Sequence, residues 1–117
     1  MKSEEKNIQV FNKLVRDNIP NIIQDNGEIA ITMVLDDIEY RKELYKKLIE
    51  EANELVNSNN QKNTLEELAD VLEVIRAIAI LENKNLDDII EIANQKRLKR
   101  GGFQKRIFLE KTYSRLK

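Results

Sequence analysis

DIEYRKELYKKLIEEANELVN (residues 37–57) and TLEELADVLEVIRAIAILEN (residues 64–83) are the two stretches that decide the fold. In the first, Leu44, Leu48, Ala52 and Leu55 recur at steps of four, four and three, which is one stripe of an amphipathic helix. The second stretch is apolar nearly all round, as expected for a helix at the centre of a bundle. The Asn-rich residues 57–63 between them favour a turn. The pattern therefore predicts two long antiparallel helices, from Asp36 or Asp37 to about Asn57 and from Thr64 to about Asn83.

Shorter elements flank this predicted hairpin. Pro20 suits the first turn of a short helix that continues to Asp25 and is stopped by Asn26-Gly27. Asn85 is placed to cap a last helix, from Leu86 to about Arg100, before Gly101-Gly102. Residues 10–17 are mixed in character and are expected to be irregular. In residues 29–35, Ile29, Ile31, Met33 and Leu35 occupy alternate positions, which predicts a short extended piece whose partner could come from a second subunit.

Composition agrees with a helical fold of modest size. The chain has 117 residues, enough for one domain, so we expect residues 1–117 to form a single unit with a basic coda at 101–117. Apolar residues make up 41% and charged residues 35%, with three Gly and one Pro, a balance typical of helix-rich proteins. We therefore predict an all-α helical bundle. Its central helix demands more cover than one chain provides, so oligomerisation is expected to complete the core. The coda has its own apolar anchors: Phe103, Ile107, Phe108, Leu109 and Tyr113.

Missing residue types exclude several kinds of chemistry. The chain contains no Cys and no His, which excludes disulfides, thiolate and imidazole nucleophiles or bases, and typical zinc sites. No apolar run approaches the roughly 20 residues of a membrane span. The N-terminus MKSEEKN lacks the apolar core of a signal peptide, so a cytoplasmic protein is expected.

Charge is divided unevenly along the chain. Residues 96–117 hold nine Lys and Arg against Glu110 alone, a net charge of +8, which leaves −9 for residues 1–95 because the whole chain carries −1. An acidic body with a basic tail suits a metal site beside a phosphate site, although a nucleic-acid-binding tail has the same appearance.

Four carboxylates at paired helical spacing point to a metal site. Glu51 and Glu54 on the first long helix, and Glu67 and Asp70 on the second, are each three residues apart, so each pair shares one helix face. If the helices form a hairpin, the pairs can converge. Because carboxylates drawn out of water need a counter-ion, and because all available ligands are oxygens, Mg²⁺ is the expected cation and Mn²⁺ is possible.

Simpler roles remain open for individual acids. Glu67 is also placed to close a capping box that starts at Thr64, in which it would bond the first helix amides. Glu50 projects away from the apolar stripe and could be an ordinary exposed residue. Spacing alone is weak support, since a charged chain produces such pairs by accident.

Several segments resemble those of a known enzyme group. Residues 50–54 (EEANE), followed after twelve residues by 67–70 (ELAD), resemble the E-E-x-x-E and E-x-x-D signature of the all-α nucleoside triphosphate pyrophosphohydrolases. This MazG-like superfamily includes phosphoribosyl-ATP pyrophosphohydrolase. Residues 12–20 (NKLVRDNIP) and 96–103 (KRLKRGGF) are similar to segments of its small phosphoribosyl-ATP pyrophosphohydrolase-like branch.

The resemblance implies an activity and a site. It implies Mg²⁺-dependent hydrolysis between the α- and β-phosphates of a nucleoside triphosphate, in a homodimer or a dimer of dimers. Glu51, Glu54, Glu67 and Asp70 would hold the metal, and Glu50 would orient a water molecule. No phosphoribosyl pocket is identifiable, so clearance of non-standard nucleotides is the expected role rather than histidine biosynthesis.

A triphosphate also needs cations from the protein. Lys96 and Arg100 lie one helical turn apart and could clamp phosphate oxygens, and Asn94 could read a base or a phosphate. Lys13 and Arg16 are further candidates, reaching the site from elsewhere in the dimer. The alternative function is a nucleic-acid-binding or regulatory module that uses the basic tail. It leaves the acids beside the apolar stripes unexplained, and nucleic acid is therefore the less expected partner.

Overall fold

A computed structural model describes residues 7–116 of the chain. The first six residues, which hold most of the segment judged for a leader sequence, and Lys117 at the end of the basic coda lie outside them. The described part contains four helices and no strand: α1 (Ile19–Asp25), α2 (Asp37–Val56), α3 (Gln61–Leu81) and α4 (Leu86–Arg100). The prediction of an all-α fold is confirmed. None of these helices is both long and apolar enough to cross a membrane.

Helix α2 begins and ends where its sequence predicts. The Asp36 side chain caps it by accepting a hydrogen bond of 2.8 Å from the backbone N–H of Glu39. Its apolar stripe faces inward, with Leu44 buried and the other three members half-buried. At the far end of the hairpin, Arg41 near the start of α2 forms an ion pair of 2.7 Å with Glu82 just after α3. The two long helices are therefore antiparallel, as predicted.

Helix α3 starts three residues earlier than predicted. Asn60 is its cap, and the Asn60 side chain accepts a hydrogen bond of 2.9 Å from the backbone N–H of Asn63. The predicted cap, Thr64, lies inside the first turn, where its hydroxyl donates to the Asn60 carbonyl at 2.9 Å. A polar Asn-rich sequence can cap a helix as well as form a turn, and here it does both. The proposed capping box from Thr64 to Glu67 is therefore wrong.

Helices α1 and α4 start and stop at the residues that the sequence indicates. Helix α1 carries Pro20 in its first turn and ends before Gly27, whose φ of +90° few other residues adopt readily. A complete capping box joins Asn85 and Asp88 at the start of α4, with both hydrogen bonds at 2.9 Å. Helix α4 ends at Gly101, which has a φ of +84°.

The single chain buries little of its apolar surface. Packing joins α2 to α3 and α3 to α4, whereas α1 has no comparable contact with another helix of the described chain. The buried apolar residues of the described part are Leu44, Val74, Ala79 and Leu86. One side of α3, with Leu65, Leu68 and Leu72, stays open to solvent. Helix α3 lies between α2 and α4, but these two helices leave part of its apolar surface exposed.

Two flanking segments have no packing or pairing partner within one copy. Residues 29–35 form no strand and have no pairing partner within the described chain. All the apolar side chains that were expected to anchor the coda are exposed, Phe103 to 96%. Both segments are rich in apolar residues, and the hairpin of one copy offers them no site to pack.

Candidate metal centre

Three carboxylates from the two long helices converge at one point of the hairpin. Glu51, Glu54 and Glu67 each place an oxygen such that all three lie within 4.8 Å of one another. Glu51 and Glu54 come from neighbouring turns of α2, and Glu67 comes from the second turn of α3, which packs against α2. The early start of α3 matters here, because it moves Glu67 beyond the reach of the free N-terminal amides.

The cluster is partly withdrawn from water. Glu51 is the one buried charged residue of the described chain, with 9% of its surface exposed. Glu67 is half-buried, and its Oε2 atom is buried without a hydrogen-bond partner. A buried acceptor without a donor is unfavourable, because the oxygen has lost its contact with water and gained no partner. A cation bound to that oxygen would remove the deficit.

Burial and like charge act together on the acids. Desolvation raises the pKa of Glu51, and the charges of Asp70, Glu54 and Glu50 raise it further, against an opposing effect of Lys47. Desolvation is also the largest cause of the raised pKa of Glu67, followed by the charges of Glu54, Asp70 and Glu51. Both carboxyl groups therefore ionise less readily than a free Glu unless a positive charge compensates them.

Lys47 supplies part of that compensation. Its ammonium lies 3.5 Å from Glu50 and 3.8 Å from Glu51, and its side chain is only 20% exposed. The sequence analysis overlooked this residue, although its spacing of three and four residues from two acids on a helix is the ordinary signal of such a contact. Glu50 is therefore at the edge of the acidic cluster and not on an isolated exposed face.

Asp70 borders the cluster but has a different partner. Its carboxylate accepts a hydrogen bond of 2.6 Å from Arg16, a residue 54 positions away in the chain. Asp70 is near enough to influence the pKa of both Glu51 and Glu67. A predicted metal ligand and a predicted substrate-binding residue thus bind each other.

The other predicted substrate-binding residues lie outside this contact network. Asn94, Lys96 and Arg100 are exposed on α4, and within the described chain no hydrogen bond or ion pair joins them to the acids. Lys13 lies over the ring of Phe11, with 5.7 Å between its ammonium and the ring centroid. Of the five candidates, Arg16 alone is held against an acid of the predicted site.

A depression beside the cluster offers further polar groups. It has a volume of about 450 Å³ and is lined by Glu50, Asn53, Glu54 and Asn57. Asn53 in the last turn of α2 and Asn57 just after its end are four residues apart, and neither was among the site residues predicted from the sequence. They extend the polar surface from the carboxylates toward the hairpin loop.

The donor set suits a hard divalent cation. Oxygen ligands from carboxylates, with room for water and phosphate, are what Mg²⁺ and Mn²⁺ prefer in proteins. The unpartnered Glu67 oxygen fits this interpretation. Comparison of the chain with protein-family models, with curated proteins and with solved structures finds no match.

Proposed function

We propose that the protein is a metal-dependent nucleoside triphosphate pyrophosphohydrolase that cleaves between the α- and β-phosphates. The observation that carries this proposal is the convergence of Glu51, Glu54 and Glu67 around a buried oxygen that lacks a partner. The products would be a nucleoside monophosphate and pyrophosphate. The resemblance of residues 50–54 and 67–70 to the MazG-like signature supports the same reaction.

The acids would hold Mg²⁺, with Mn²⁺ as a possible substitute. Glu51, Glu54 and Glu67 would provide the ligand oxygens, and Asp70 would join them once Arg16 is drawn to a phosphate group. When bound, the cation would neutralise phosphate charge and favour attack by water. Glu50, at the rim beside Lys47, would accept a hydrogen bond from the attacking water and orient it.

Arg16 would bind the substrate. Its guanidinium already lies against the acidic cluster, 2.6 Å from Asp70, so a triphosphate bound there would be within its reach. Lys13 precedes it by three residues. Asn94, Lys96 and Arg100 would complete the phosphate site from a second copy of the chain, since no contact holds them near the cluster within one copy.

The protein would act as a homodimer or a dimer of dimers. The chain exposes 11305 Å², whereas a folded monomer of 13.7 kDa exposes about 6,600 Å². Its radius of gyration is 20.6 Å, against about 13 Å for a compact chain of this length. The excess surface includes the open side of α3, so a second copy would complete the core.

A product assay on purified protein tests the reaction. The panel would contain standard, deoxy, methylated and oxidised nucleoside triphosphates and phosphoribosyl-ATP, with products separated by mass. We expect Mg²⁺-dependent release of pyrophosphate from at least one of them, and a preference for a non-standard nucleotide would support a clearance role. Release of inorganic phosphate alone would contradict cleavage between the α- and β-phosphates.

Matched variants test the site. Glu51→Gln and Asp70→Asn should each abolish pyrophosphate release while the helix content is retained. Glu66→Gln is the control, because Glu66 is exposed on the same helix as Glu67 and is outside the cluster. Equal turnover in all three variants would remove the cluster from the mechanism.

A second candidate is a nucleic-acid-binding module. The observation in its favour is that residues 91–116 are exposed throughout and combine basic side chains with the aromatic Phe103, Phe108 and Tyr113. Binding of DNA or RNA that weakens steeply with salt and does not depend on Mg²⁺ would favour this function.

A further inference from the structure

Two segments of the chain have the character of strands but no partner. We name them arm 28–35 (EIAITMVL) and arm 106–113 (RIFLEKTY). Neither belongs to a helix or a strand. Both are rich in β-branched and aromatic residues, which favour a pleated and half-buried surface.

Their apolar side chains are among the most exposed of the described chain. In arm 28–35, Ile31 is 91% exposed and Val34 is 96% exposed. In arm 106–113, Phe108 is 88% exposed and Tyr113 is 90% exposed. Exposed apolar residues are ordinary when isolated, but a continuous patch is a sign of an interaction surface.

Their backbones are also unpaired. Within the described chain, residues 29–35 and 107–113 take part in no backbone–backbone hydrogen bond. A row of free N–H and C=O groups beside apolar side chains is the usual template for edge-to-edge pairing. The two arms do not pair with each other inside one copy.

The arms differ in charge. Arm 28–35 contains Glu28 and no base and is followed by Asp36 and Asp37, whereas arm 106–113 contains Arg106 and Lys111 against Glu110 and is preceded by Lys105. Pairing arm 28–35 with arm 106–113 therefore brings opposite charges together, and pairing either arm with its own copy brings like charges together.

We propose that arm 28–35 of one copy pairs with arm 106–113 of a second copy, and that the twofold-related contact repeats it, so that two β-ladders hold a homodimer. The proposal depends on the dimer proposed above but not on the catalytic reaction. The reciprocal contact would pair all four arms of the dimer and cover their apolar side chains. The partner is another copy because a single chain supplies both complementary edges.

Cysteine cross-linking tests the pairing directly, because the natural chain has no Cys and every disulfide must come from the introduced residues. Ile31→Cys would be mixed in turn with Leu109→Cys, Glu110→Cys and Lys111→Cys, each carrying a mass tag, because an antiparallel overlap of the two arms places Ile31 opposite Glu110. The mixtures would be refolded together, oxidised and analysed by mass spectrometry. Facing residues of an antiparallel pair lie about 4.5–5.5 Å apart at Cα, which a disulfide can span.

We expect a disulfide between differently tagged chains for at least one of the three pairs. Lys62→Cys is the control partner, because Lys62 is exposed in the first turn of α3 and belongs to neither arm. Cross-links that join two Ile31→Cys chains to each other, or none with any of the three partners in a protein that is dimeric, would overturn the proposal.

Proline variants give an independent measurement. Ile31→Pro and Phe108→Pro should each raise the dimer dissociation constant by at least about a hundredfold, because proline cannot donate to a ladder and each dimer carries the change twice. Gln9→Pro, in an irregular exposed segment outside both arms, should leave the dissociation constant unchanged. Analytical ultracentrifugation measures the masses, and circular dichroism verifies retained helix.

Pyrophosphate release measured on the same samples separates the two proposals. An active dimer whose arms fail to cross-link would overturn the arm pairing alone, and a cross-linked dimer without activity would contradict the enzyme alone. The pairing of arms would also be overturned if the natural protein and both proline variants are monomeric and the proline variants lose binding of nucleic acid, because the arms would then act in that binding.

Discussion

Replacing Glu51 by Gln should stabilise the metal-free protein and remove its response to magnesium. Glu51 is the most buried acid of the cluster, and both burial and neighbouring charges raise its pKa. A glutamine of nearly the same shape keeps the packing and removes the charge. The same change eliminates a ligand oxygen. Glu51→Gln should therefore be more stable than the natural protein without metal, and should lose the stabilisation that bound metal gives the natural protein.

The size of the gain follows from the geometry. At 4.8 Å, the upper limit between oxygens of the cluster, Glu51 and Glu54 repel by about 0.9 kcal/mol at the dielectric constant of water and about 3.5 kcal/mol at 20. The substitution also removes the contact with Lys47, and such pairs contribute about 0–1 kcal/mol. We expect a net stabilisation of about 1–2 kcal/mol, or roughly 4–8 °C in Tm, since a chain of 117 residues has an unfolding entropy of about 0.25 kcal/mol/K.

The assay is urea unfolding followed by circular dichroism, at one fixed protein concentration because a dimer's stability depends on it. Titration across pH gives the sign. A group whose folded pKa is raised stabilises the fold fully below its unfolded pKa, about 4.3 for Glu, and loses that contribution as the pH rises through the folded pKa. The free energy of unfolding of the metal-free natural protein should therefore fall as the pH rises from the unfolded pKa through the folded pKa. The free energy of unfolding of Glu51→Gln should fall less over the same range.

Magnesium provides the second half of the test. At 100 times its Kd, a ligand stabilises a folded protein by about 2.7 kcal/mol. The natural protein and the Glu66→Gln control should show a gain of this kind, and Glu51→Gln should not. The reasoning would be refuted by a Glu51→Gln protein that is less stable than the natural one at neutral pH, whose free energy of unfolding changes with pH and with Mg²⁺ as in the natural protein. The acidic cluster would then not be a metal site.

Three further substitutions follow from the described contacts. Arg16→Gln releases Asp70 from its exposed ion pair, so Mg²⁺ affinity measured by calorimetry should rise by up to about fivefold, and an unchanged affinity would contradict competition between Arg16 and the cation. Lys47→Gln removes the charge that lowers the pKa of Glu51, so the metal-free protein should lose stability at neutral pH and gain more from Mg²⁺ in thermal unfolding. Gly101→Ala meets no atom within 4 Å but must adopt φ +84° and ψ 179°, a region that is essentially restricted to glycine, which should destabilise the protein by about 1–3 kcal/mol in urea unfolding; an unchanged midpoint would show that the backbone relaxes freely.

The helices could be predicted from sequence because their signals are local. The stripe of α2, its start at Asp36 or Asp37 and the Asn85-to-Gly101 limits of α4 each depend on residues within a few positions of one another, and all are found as predicted. The start of α3 could not be fixed, because several Asn residues in a row are equally good caps and turn residues. The structure selects Asn60, the residue whose side chain reaches the amide of Asn63.

The site was predictable in part for the same reason. The spacing of Glu51 and Glu54, and of Glu67 on the next helix, is enough to bring three oxygens together once the hairpin forms. The contact between Arg16 and Asp70 was not predictable, since 54 residues separate them and no periodic pattern relates them. Lys47 could have been found from its helical spacing to Glu51. In the proposed pairing, the position of each arm depends on a second copy of the chain, which no pattern within one sequence locates.

The charge of the chain is divided along its sequence, with −9 before residue 96 and +8 from there on. In the proposed dimer, the basic segment of one copy and the acidic part of the other would attract each other before contact, within a screening distance of about 8 Å at physiological salt. In about 1 M salt that distance shrinks to about 3 Å. Association of two copies into the proposed dimer should therefore be faster at low salt than in about 1 M salt, even where the dimer is equally stable in both.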